Sequence, residues 1–143
     1  MLPETIELEV VTPERHVLQQ TVKSVEIPGK EGYLGVLPGH APLITELGIG
    51  ILTYRSDRET RYLTVMDGYA EVLPDRVIVL AELSERAEEI DVARTRAALD
   101  RAKAQVVKTD VRDPEWGHAS LALQRALVRL QAASRIGSAG AHE

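Results

Sequence analysis

The chain has 143 residues, with 17 Lys and Arg against 22 Asp and Glu, a net charge of −5. Aromatic residues make up only 3%, with one Trp and no Phe, so the chain lacks both the basic surface and the stacking platforms of a general nucleic-acid binder. Cysteine is absent, which excludes disulfides and thiolate metal sites, and no apolar run approaches the roughly 20 residues needed to cross a bilayer.

The start, Met1-Leu2-Pro3-Glu4, has neither the basic nor the apolar stretch of a signal peptide and is too acidic for a transit peptide. A soluble intracellular chain is therefore expected, one that meets a membrane only through a partner. From Thr5 to Ala81 the dominant period is two. Ile6, Leu8 and Val10 alternate with Glu7 and Glu9, and Val77, Val79 and Ala81 repeat the pattern near the end. Between them, Val22–Ile27, Tyr33–Leu37, Gly50–Arg55, Arg61–Asp67 and Tyr69–Leu73 read as short strands. Turn chemistry separates them at Pro13-Glu14, Pro28-Gly29, Pro38-Gly39, Ser56-Asp57, Asp67-Gly68 and Pro74-Asp75. The pattern predicts an all-β sandwich or flattened barrel of about 8–10 strands over residues 1–86.

After Leu83 this punctuation stops. Asp91 to Lys108 contains no Gly or Pro and is rich in Ala and Arg, which predicts a helix capped by Asp91. Asp113-Pro114 starts a second helix, expected to run to about Ser134 and to stop before Gly137. Leu123, Leu127 and Leu130, with Ala119, Ala126 and Ala133, form its apolar stripe, and Val92, Leu99, Ala102 and Val106 form a thinner one on the first helix. The expectation is an antiparallel helical hairpin over residues 87–136 and a flexible tail over 137–143. Charge divides at the same place: residues 1–86 carry a net −6 and residues 87–143 a net +1.

No constellation for catalysis is apparent. His16, His40, His118 and His142 are scattered, and no zincin, nucleophile-elbow or phosphate-loop pattern occurs. No catalytic residue, metal ligand or required cofactor is expected. Two features rise above background. The first is Glu31 to Thr45, where turn-formers and a histidine interrupt the β pattern; it is either an elaborate loop or a protruding contact surface. The second is a set of arginines. Arg125 and Arg129 are spaced i,i+4 with no acidic residue nearby on that helix, and Arg94 and Arg101 share a face of the first helix. They are either solvated or, brought together across the hairpin, a clamp for phosphate.

At Val11-Thr12-Pro13-Glu14-Arg15, at Glu31-Gly-x-Leu-Gly-Val-x-Pro-Gly-His-Ala-Pro-Leu43, at Gly68-Tyr69-Ala70-Glu71-Val72, and at the hairpin opened by Ile90-Asp91, the chain resembles the epsilon subunits of bacterial F-type ATP synthases. The resemblance implies a non-catalytic rotor subunit that couples proton translocation to ATP synthesis and restrains ATP hydrolysis. Its partners would be the gamma subunit, the c-subunit ring and, with the hairpin extended, the alpha and beta subunits. It would lie on the cytoplasmic face of the bacterial inner membrane as a peripheral protein, without binding nucleic acid. The resemblance makes Glu31 and His40 polar rotor contacts and Tyr33, Leu37 and Pro42 apolar ones. Arg125, Arg129 and Arg135 would form the inhibitory basic helix. Some members bind regulatory ATP on the folded hairpin, which here implies Glu85, Asp91, Arg94, Arg101, Arg125 and Arg129, with Thr95 replacing the motif's alanine. The alternative reading is a free-standing ATP-sensing module with no motor partner.

Overall fold

The computed structural model describes residues 2–141, which fall into two compact units divided after Ala87. The first unit holds seven strands: β1 Ile6–Val11, β2 His16–Val22, β3 Ser24–Gly29, β4 Gly32–Val36, β5 Leu43–Arg55, β6 Thr60–Leu73 and β7 Arg76–Arg86. They lie in the order β2-β1-β7-β6-β5-β3-β4. Every neighbouring pair is antiparallel except β1 with β7, which is parallel, with Glu7 opposite Arg76 and Val11 opposite Leu80.

The period-two pattern buries Ile6, Leu8 and Val10 of β1 with Val77, Val79 and Ala81 of β7. Buried residues from all seven strands belong to one cluster, so the sheet closes over a single core as a sandwich. With no Phe available, Ile, Leu and Val carry that core, each fully buried side chain contributing about 1.5–3 kcal/mol.

Seven strands is fewer than the expected 8–10, and the difference lies in the long strands. Asp67-Gly68, read from sequence as a turn, is a bulge inside a continuous β6. Asp67 has φ 60° and Gly68 φ 114°, and pairing resumes at Gly68 opposite both Leu47 and Ala81. A side chain at Gly68 would collide with the carbonyl oxygen of Leu80. Before the bulge, Leu63, Thr64, Val65 and Met66 are all buried, so β6 is covered there on both faces.

Proline inside β3 leaves a second mark. The β3–β5 register breaks between Glu26 and Gly29, around Pro28, which has no N–H for the ladder. Tyr33 on the adjoining strand reaches over this break, and its hydroxyl accepts the backbone N–H of Ile51 at 3.1 Å. Gly50 makes room, since a Cβ there would lie 2.6 Å from both the Tyr33 hydroxyl and Pro28 Cβ.

The second unit opens with a 3-10 turn at Ala87–Glu89 and contains α1 Val92–Lys108 and α2 Pro114–Ala141, packed together as a hairpin. The predicted caps are in place. Asp91 accepts the Arg94 N–H at 3.0 Å, and Asp113 accepts the Glu115 N–H at 2.9 Å. α2 does not stop near Ser134 but continues to Ala141, because Gly137 lowers helix propensity by only about 1 kcal/mol and no proline follows. The expected tail is therefore helical through Ala141, and residues 142–143 lie outside the described residues. At 1.5 Å per residue the helices are about 26 and 42 Å long, the second exceeding the roughly 27–31 Å expected from sequence.

The α2 stripe also differs from expectation. Ala119 and Ala126 are buried, and Leu123, Leu130 and Ala133 are half-buried, but Leu127 is 41% exposed. Leu127 sits on the flank of that stripe rather than at its centre, while Val128 and Ala132 are buried along a second line. On α1, Thr95 and Ala102 are buried and Leu99 and Val106 half-buried, whereas Val92 is 39% exposed.

Candidate docking face and arginine-bearing hairpin

The segment singled out between Glu31 and Thr45 is an ordered projection of the β unit. Glu31 is exposed in the turn from β3 to β4, where Gly32 takes φ 138°. After β4 the chain loops through Leu37 to Pro42. The His40 N–H donates to the Leu37 carbonyl at 3.1 Å and the Gly39 N–H to the Pro74 carbonyl at 2.7 Å. His40 Nδ1–H donates to the Ala41 carbonyl at 2.7 Å, leaving the ring half-buried. So fixed, the loop holds Leu37 and Pro42 exposed. Tyr33 presents its ring to solvent, but its hydroxyl is committed to Ile51 and serves the sandwich as well as the surface.

Beside this loop lies an apolar face that alternation alone conceals. Cross-strand rows run over the outer side of the sheet. One sets Glu9, Ile78, Glu71 and Ile44 side by side; the next sets Val11, Leu80, Tyr69 and Glu46. Ile44, Tyr69 and Leu80 are each more than half exposed, at positions where an outward strand residue is ordinarily polar. Pro42, Leu43, Ile44, Glu71, Val72 and Leu73 line an open depression of about 350 Å³ at one end of this face. Sequence reading placed Pro42 among the contacts and missed Ile44, Tyr69 and Leu80. Two of the three stand in register opposite acidic residues, Ile44 beside Glu71 and Tyr69 beside Glu46, whereas Leu80 stands between Val11 and Tyr69.

On the hairpin, Asp91 uses its carboxylate for the helix cap, and its carbonyl accepts both the N–H and the hydroxyl of Thr95, at 3.0 and 2.7 Å. The Thr95 side chain is thus buried and internally satisfied. Arg94 and Arg101 each precede a buried residue, Thr95 and Ala102, so both border the buried line of α1 while remaining exposed. Arg125 and Arg129 are half-buried on α2, and Arg125 shares a side with Val128 and Ala132. The Nε of Arg125 is buried and makes no hydrogen bond among the described residues. Arg135 is exposed further along α2. Glu85 belongs to β7, where its N–H donates to the Thr64 hydroxyl at 3.0 Å. Among the described residues no group of His, Asp and Glu could hold a metal ion, and no helix is long and apolar enough to cross a membrane.

Residues 5–87 match the family described as ATP synthase, Delta/Epsilon chain, beta-sandwich domain, and residues 85–134 match its long alpha-helix domain. The chain is 47% identical to the ATP synthase epsilon chain of Solibacter usitatus over 94% of its own length and 99% of that protein. It is 53% identical to that of Koribacter versatilis, over 73% of its length and 74% of the relative. A chain in the structure of the Euglena gracilis mitochondrial ATP synthase, comprising OSCP, F1 and c-ring, superposes with TM-score 0.78 at 26% identity, covering 93% of this chain and 83% of that one. These likenesses are to a non-catalytic stalk component of a rotary machine and do not favour a free-standing nucleotide sensor. With its sandwich followed by a capped helical hairpin, the chain belongs to the ATP synthase delta/epsilon family, on the epsilon side.

Proposed function

We propose that this chain docks on the foot of the gamma subunit beside the c ring through its β unit, and restrains ATP hydrolysis through its hairpin. The observation that carries the docking reading is the pinned loop at Leu37–Pro42 together with the exposed apolar residues Ile44, Tyr69 and Leu80. Glu31 and His40 supply polar contacts on this reading, and Tyr33, Leu37 and Pro42 apolar ones. Such docking would make the chain a peripheral protein of the cytoplasmic face of the bacterial inner membrane. The test is copurification. The full chain should enter a gamma-containing complex, and a chain that never associates with gamma ends the reading.

The hairpin is the regulatory part on this proposal. Extended along gamma, it would bring Arg125, Arg129 and Arg135 to acidic surfaces of the catalytic subunits. Folded, it would take ATP through Asp91, Arg94, Arg101, Arg125 and Arg129. The partnerless buried Nε of Arg125 supports an anion there. ATP at 100 times its dissociation constant would favour the folded form by about 2.7 kcal/mol. Low ATP should then release the helices and slow hydrolysis, and truncation after Glu89 should abolish that slowing. Calorimetry of ATP binding to wild type and Arg125→Ala tests the clamp, since equal heats would remove it.

A further inference from the structure

Glu7, Glu9, Glu46 and Glu71 share the outer face of the sheet, and the first three have polar partners, Glu7 accepting the Thr21 hydroxyl at 2.8 Å. Glu9 lies 3.3 Å from His16, and Glu46 lies 3.3 Å from Lys30. Glu71 has no ion pair or hydrogen bond among the described residues, and its cross-strand neighbours are the apolar Ile44 and Ile78. The cation of the adjoining row, Arg76, faces Glu7 and Leu73 in register and makes no ion pair with Glu71. Glu71 also stands at the depression lined by Pro42, Leu43, Ile44, Val72 and Leu73. An apolar trough with one carboxylate at its edge matches a side chain that is apolar along its stem and positive at its tip. The sign agrees with the surroundings, since residues 1–86 carry a net −6.

We propose that this depression is a socket for a single lysine or arginine side chain of the stalk partner, with its stem against Pro42 and Ile44 and its charge on Glu71. The inference rests on the docking reading and adds the chemistry of one contact within it. Association would then have two components, an apolar one indifferent to salt and an ionic one screened by it.

The test titrates the full chain into the synthase's own alpha-beta-gamma assembly depleted of this chain, at about 50 mM and about 300 mM salt. Glu71→Gln should weaken binding about fivefold at low salt, the upper end for an exposed ion pair, and little at high salt. Ile44→Ser should weaken it at both. Melting curves matching wild type would establish that the variants fold. Glu71→Gln binding like wild type at both salts would overturn the socket while leaving the docking reading intact. A wild-type chain that does not bind at all would overturn both. If Glu71→Gln instead changes self-association of the isolated chain, the occupant is a second copy and the proposal fails.

Discussion

The Tyr33 hydroxyl accepts the Ile51 N–H at 3.1 Å, supplying an acceptor beside the gap that Pro28 leaves in the β3 ladder. A side chain that looks like a surface aromatic is thereby part of the sheet's hydrogen bonding. Tyr33→Phe should leave the Ile51 amide unpaired in a buried setting and destabilise the β unit by about 1–3 kcal/mol. A lowered urea midpoint with unchanged slope would register this. An unchanged midpoint would mean that the bond contributes nothing.

Gly68→Ala should be among the most damaging single changes in the chain. The residue takes φ 114°, and a Cβ would strike the Leu80 carbonyl across the bulge. Strain and overpacking together should cost at least about 3 kcal/mol. Thermal unfolding followed by circular dichroism would show a large fall in Tm.

The cap at the start of α1 gives a smaller, graded effect. Asp91→Ala removes the acceptor for the Arg94 N–H and should cost about 1 kcal/mol, while Asp91→Ser should recover most of it. Helical melting of the full chain without nucleotide is the appropriate measurement. An Asp91→Ser chain as unstable as Asp91→Ala would argue against capping.

Arg125 separates stability from binding. Its buried, unbonded Nε makes the cation a burden when no anion is present. Arg125→Met keeps most of the apolar stem, so it should leave the nucleotide-free hairpin equally or slightly more stable, by up to about 1 kcal/mol. The same variant should lose the heat of ATP binding. Loss of stability without ATP would refute this account.

At the hairpin tip, hydrogen bonds from the Arg112 side chain and backbone hold the Asp110 carboxyl below the ordinary aspartate range. A depressed carboxyl contributes stability above its unfolded pKa and loses that contribution as pH falls through the folded value. The effect is therefore confined to the acid side. An NMR titration should place the Asp110 midpoint below that of a model aspartate, and Arg112→Ala should raise it.

Much of this arrangement is written locally. Asp91 and Asp113-Pro114 announce the helix starts because capping is chemistry among residues two or three apart. The alternation of Ile6, Leu8 and Val10 reveals the inward face of β1 for the same reason. Asp67-Gly68 was misread because the same dipeptide serves a turn or a bulge, and pairing with both β5 and β7 decides between them. The apolar outer face stayed hidden because alternation assigns apolar residues inward, whereas Ile44, Tyr69 and Leu80 face out. The arginines were legible as pairs on each helix, but spacing along one helix says nothing about what stands beside it on another.

The parallel union of β1 with β7 sets an order of events at the ribosome. Strand β1 leaves first, yet one of its two partners is the last strand of the sandwich. At about 5–20 residues per second, the roughly 70 residues separating Glu7 from Arg76 keep that side of β1 uncovered for about 4–14 seconds. Its hairpin with β2 can form meanwhile, but completion of the sheet waits for β7. The helical hairpin is made only afterwards, so the part proposed to restrain the motor emerges once the part proposed to dock is ready to close.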